Sequence, residues 1–159
     1  MIFYNILYPP ITSALIIESK FSCLFIDSAG TKTDKGFYLH ILPKNLSMIE
    51  RNSKLREKNT GFAEIIAFNT WDKKTVSSEL IYVFDIIISK NKSDYVNKKS
   101  NKFPHKFTMN RKTYALNIKN MYSNETLYYQ CKLLNNNVSF TDLVLERMEE
   151  LQQLIERNE

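Results

Sequence analysis

Residues 80–88 read LIYVFDIII, the longest nearly uninterrupted apolar run in the chain. Ile81, Val83, Ile86, Ile87 and Ile88 are β-branched, and Tyr82 and Phe84 are aromatic, which suits a pleated strand better than a helix. Both faces of the run are apolar, so it reads as the central strand of a small core, covered on both sides. Asp85 interrupts it. A carboxylate there must be paired, hydrogen-bonded or protonated. It is either a base or metal ligand, or a residue at a strand edge or barrel mouth with a lysine or backbone partner.

Outward from this run the pattern is mostly extended. Strands are expected at residues 2–8, 14–18, 21–27, 37–42 and 62–68, with turn-like composition at 28–36 and a polar connection at 69–78 that carries Trp71. Residues 106–109 and 113–118 read as a hairpin about Asn110 and Arg111. Helices are expected at 47–59, opened by a Ser47/Glu50 capping box, at 124–134, and from Ser139 to about residue 157. The fold class is therefore α+β: a mostly antiparallel, curved sheet of six to eight strands, open to a barrel-like closure. One mid-chain helix and two C-terminal helices would pack on it. At 159 residues the chain (1–159) is one domain, with a basic loop and hairpin at 89–119 and a helical part at 124–157.

Only three glycines are present, too few and too scattered for a dinucleotide or P-loop fingerprint. Cys23 and Cys131 lie far apart without neighbouring ligand residues, so a reducing, cytoplasmic compartment is the expectation, with no metal and no cofactor. The apolar N-terminus is broken by Asn5, Pro9 and Pro10, which argues against a membrane span.

Charge is the main functional signal. The net charge is +5, yet residues 89–120 alone carry nine cations against Asp94. Lys90, Lys92, Lys98, Lys99, Lys102, Lys106, Arg111 and Lys112 are interleaved with Tyr95 and Phe103. Lysines can release counterions from phosphates, and an exposed ring can stack on a base. The leading expectation is thus a non-enzymatic module binding RNA or single-stranded DNA. A second reading is a protein-interaction or regulatory domain. Its C-terminal stripe of Val144, Met148, Leu151 and Ile155 would pack on the sheet or on a second copy. A third is a small metal-independent ribonuclease using His105, with His40 and Asp85 as further acid/base candidates.

Overall fold

The computed structural model describes residues 16–44, 60–71, 74–98 and 103–158. Eight antiparallel strands follow one another around a closed barrel. They are β1 (Ser19–Ile26), β2 (Lys32–Pro43), β3 (Thr60–Trp71), β4 (Thr75–Ile88), β5 (Asp94–Asn97), β6 (His105–Asn110), β7 (Ala115–Asn120) and β8 (Thr126–Leu133). Each strand pairs with the next, and β8 returns to pair with β1 from Phe21↔Leu133 to Ile26↔Tyr128. One helix, α1 (Phe140–Arg157), follows. The expected curved sheet with three helices is therefore corrected to a closed barrel with a single helix among the described residues. The expected strand at 2–8 and helix at 47–59 lie outside the described residues.

The central run sits in β4, but only one of its faces is inside. Phe84, Ile86 and Ile88 are buried, while Leu80, Ile81, Val83 and Asp85 are exposed. A barrel has one interior, so the strand needs only alternate residues there. The register also slips at Ile65/Ile66, opposite residues 80–82.

The helix expected at 124–134 is strand β8. Leu127, Cys131 and Leu134 do fall on a helical stripe, but the same stretch also alternates. Cys131 is buried and Tyr129 half-buried, while Tyr128 and Lys132, on either side of that pair, are exposed. Two unpaired edges decide between the periods: without β8, both β1 and β7 would present bare backbone donors and acceptors.

Phe21, Leu39, Ile41, Ile86, Phe107, Met109 and Leu116 are almost wholly enclosed. They fill the half of the barrel nearest the start of β1 and the end of β4. An eight-stranded barrel is just wide enough for such filling. The inside is apolar, whereas the outside of β6 to β8 carries Lys106, Asn117, Lys119 and Lys132. That is the reverse of a lipid-facing barrel. No described helix is long and apolar enough to cross a membrane.

Cys23 and Cys131 face each other directly across the β1–β8 seam and form a disulfide, with both residues in the core. Disulfides form and persist where the surroundings are oxidising. The expectation of a reducing, cytoplasmic compartment is overturned. The two cysteines are separated by 108 residues, so their adjacency exists only once the barrel has closed.

Helix α1 starts at Ser139, whose hydroxyl accepts from the Asp142 amide at 3.1 Å. It packs on the outside of the barrel. Gln152 Nε2 donates to the Lys74 carbonyl (2.7 Å) while its Oε1 accepts from the Val76 amide (3.1 Å). At the other end Phe140 stacks on His40, their rings 4.3 Å apart.

Replacing both cysteines (Cys23→Ala with Cys131→Ala) is expected to lower unfolding stability by about 2–5 kcal/mol, because a long loop is no longer tied in the unfolded chain. Urea melts check this. An unchanged midpoint would show that the seam is held by its ladder alone.

Candidate functional site at the open end of the barrel

Strand lengths decide where the barrel opens. β3 and β4 are 12 and 14 residues long, whereas β5 has four. β5 pairs with β4 only from Ile86 to Ile88. Above that rung Phe103 packs between Tyr82 and Phe84 of β4 and His105 at the start of β6. A cavity of about 280 Å³ lies at this end, lined by Phe37, Ile65, Ile81, Tyr82, Phe103, His105, Ile118, Asn120, Glu125, Leu127 and Tyr129. Exposed Glu125 and Leu127 are among the lining, so it opens to solvent. It has nearly twice the volume of an engineered apolar cavity of ~150 Å³ that accepts benzene.

The polar groups are few. His105 Nε2 lies 3.4 Å from the Tyr82 hydroxyl. Its Nδ1 is buried with no hydrogen-bond partner. A buried polar atom left unsatisfied costs about 1–3 kcal/mol, so it calls for a functional or structural reason. The ring is held edge-on between Tyr82 (5.7 Å) and Phe103 (5.2 Å). Its backbone is pinned by Asn97, whose Nδ2 donates to the His105 carbonyl (2.8 Å) while its Oδ1 accepts from the Phe107 amide (2.9 Å). Asn97 thereby extends the short β5 ladder with a side chain. Burial raises the Tyr129 phenol above its ordinary range, so it stays a neutral hydroxyl at physiological pH. The Asn120 oxygen is already engaged, accepting from the amides of Tyr122 and Ser123 in the β7–β8 turn.

The residues singled out in the sequence are spread around this frame. His105 lines the cavity. Asp85 is exposed. His40 lies on the outer side of β2, where its Nε2 meets Glu18 (2.8 Å) and its Nδ1 meets Glu64 (3.2 Å) beneath Phe140. The three are not brought together, and no cluster of three or more metal-ligating side chains occurs among the described residues.

The cations divide between the two ends of one flank. Lys90 and Lys92 sit in the β4–β5 turn and Arg111 and Lys112 in the β6–β7 turn, at the filled end. Arg111 Nη1 donates to the Lys92 carbonyl, and its guanidinium lies over the Tyr95 ring at 5.3 Å. Lys98 follows β5 directly, and its amide donates to the Asp85 carbonyl. Lys106 and Lys119 are directly opposed across β6 and β7, at the open end. Lys99 and Lys102 lie outside the described residues. Tyr95 and Phe103 are both buried, and Phe103 stacks on Phe84 with ring centroids 4.0 Å apart. Neither ring is presented to a base.

On α1, Val144 is buried and Met148, Leu151 and Ile155 are half-buried. This stripe faces the barrel. The exposed apolar residues of the helix are Leu145 and Leu154.

Most of the lining was missed in the sequence. Leu127 and Tyr129 were hidden by the helical reading of β8. The only available signal was the alternation in that segment. No family model, curated protein or solved structure gives a significant match to this chain, so the site is argued from its own geometry.

The hydrogen bond from His40 holds the Glu18 carboxyl below its ordinary value of 4.5; desolvation opposes the shift and the charge of Lys20 assists it. A depressed carboxylate contributes stability above the unfolded value and loses it as pH falls through the folded one. Glu18→Gln should therefore be less stable than wild type at pH 6, with the gap closing as pH drops below the usual glutamate range. Urea melts across that range check it. A gap that widens in acid would refute the assignment.

Proposed function

We propose that this protein is a non-enzymatic binding barrel that takes one small apolar or amphiphilic molecule into its open end. The observation that carries the reading is the cavity between the β4–β5 step and the β7–β8 turn, apolar in most of its lining, with a small polar set of Tyr82, His105, Glu125 and Tyr129. Ligand sites are built in this way: hydrophobic walls provide affinity and a few placed polar groups fix orientation. The mouth of a β-barrel is one of their usual places.

His105 is the group best suited to meet a ligand's polar end. Its ring has one nitrogen without a partner and another in a long contact to a hydroxyl. A ligand offering a hydroxyl, carbonyl or amide would relieve the buried nitrogen after a modest turn of the ring. The apolar part would then lie against Ile65, Ile118 and Leu127.

RNA or single-stranded DNA remains a second reading, favoured by one observation: Lys106 and Lys119 stand side by side on the outer wall. Tyr95, Phe103 and Phe107 are all inside, so stacking would fall to the exposed Tyr122 and Tyr128, outside the basic stretch. A ribonuclease would need a second acid/base group within hydrogen-bond reach of His105; the contact described there is the Tyr82 hydroxyl at 3.4 Å, and Glu125 lines the same cavity with no hydrogen bond to the ring.

The test is an environment-sensitive dye, 1-anilinonaphthalene-8-sulfonate, titrated against wild type and Ile118→Trp, with displacement by medium-chain alcohols. The reading expects one saturable, displaceable site in wild type. It expects at least tenfold weaker binding in the variant, whose melting temperature should be nearly unchanged because the new ring fills existing space. Absence of a dye site, with salt-dependent binding to single-stranded RNA lost in Lys106→Glu/Lys119→Glu, would replace it with the second reading.

A further inference from the structure

The cavity has an apolar collar. Ile81 and Leu127 line it and are also 41% and 36% exposed. Met121 and Tyr122, at the tip of the β7–β8 turn between the lining residues Asn120 and Glu125, are 57% and 87% exposed. The turn is not loose. The Met121 amide donates to the Pro104 carbonyl (3.1 Å), and the Asn120 amide to the Glu125 carbonyl (2.8 Å). Two large apolar side chains are therefore held out into water by a well-braced hairpin, beside the entrance to an apolar pocket. Isolated exposed apolar residues are ordinary, whereas here four stand at one rim, with the exposed Glu125 carboxylate among them.

Charge sits immediately behind the collar. The rung His105↔Asn120 belongs to the mouth, and the next rung inward is Lys106↔Lys119, with both side chains on the outside. Two like charges directly opposed across a ladder are unfavourable for the sheet itself. Long lysine stems can lay their methylenes along an apolar surface and lift the ammonium groups to its charged boundary.

From this juxtaposition we propose that the open end docks onto the surface of an anionic lipid bilayer. Met121, Tyr122, Leu127 and Ile81 would enter the headgroup region, and Lys106 and Lys119 would meet lipid phosphates and carboxylates. The inference rests on the pocket reading above: the docked mouth opens toward the phase in which an apolar ligand is dissolved, so ligand passes between bilayer and barrel without crossing water. Aliphatic side chains make up most of the collar, and the aromatic rings of the basic stretch are buried, which favours lipid over a nucleic acid as occupant. An apolar face seated at the interface and cations set around it are the two ingredients of reversible membrane association.

The experiment is sedimentation of the intact protein with phosphatidylcholine vesicles, with and without phosphatidylserine. It compares wild type, Met121→Ala/Tyr122→Ala, Lys106→Glu/Lys119→Glu and Ile118→Trp, with dye binding in solution measured alongside. Wild type should partition preferentially onto the serine-containing vesicles. The lysine reversals should weaken that partitioning at least about tenfold and remove the lipid preference. The Met121/Tyr122 variant should lose binding to both vesicle types while keeping its dye site. Ile118→Trp should lose the dye site and keep the vesicles. Wild type that binds dye but neither vesicle would overturn the docking surface and leave the pocket intact. Vesicle binding without any dye site would overturn the pocket and leave the surface. Lysine reversals that abolish RNA binding but not vesicle binding would assign the two lysines to nucleic acid and overturn the proposal.

Discussion

Everything in this molecule depends on the seam where the last strand meets the first. A meander of seven strands would leave two bare edges and an apolar face with nothing opposite it. Pairing β8 to β1 removes both edges at once and turns the apolar face into an interior. The Cys23–Cys131 disulfide lies in that seam, among the buried side chains. Lys20 ties the same corner to the helix: although almost fully buried, it donates to the carbonyls of Asn136 (3.1 Å) and Val138 (2.7 Å). Gly36 marks how close the packing is there, since a Cβ at that position would collide with the Cys23 carbonyl. Closure therefore sets the interior and the direction in which the helix leaves.

The strands themselves were largely legible. Residues 21–27, 37–42, 62–68 and 80–88, and the hairpin about Asn110, all fall in or on observed strands. Closure was not legible, because it is a statement about two edges far apart in the chain. β8 carries two periods at once, and a local reading took the wrong one. The same distance hid the disulfide: without β8 as a strand, nothing places Cys131 beside Cys23. The final helix was read correctly because its cap, Ser139, and its stripe are both local signals.

Composition gains a physical meaning in the structure. The chain is rich in asparagine and has only three glycines, which looks unpromising for a barrel full of tight turns. Asparagine side chains do that work. Asn91, Asn110, Asn120 and Asn135 each accept from backbone amides within the following few residues, and Asp27 does so in the β1–β2 turn. These oxygens mimic a turn's own carbonyl. The basic stretch likewise changes meaning. Tyr95 and Phe103 became core, the described cations were split between the two ends of one flank, and the Lys106–Lys119 pair stands beside the open end. A linear count of charge cannot separate inward from outward positions when the period is two.

At its open end the barrel holds an accommodating apolar cavity above a filled floor. Methyl-resolved NMR during a benzene titration addresses that claim most directly. Saturable shifts should appear at the methyl groups of Ile65, Ile81, Ile118 and Leu127, with Ile41 and Leu116 in the packed floor nearly still. Absence of any saturable shift, or shifts centred on the floor residues, would contradict it.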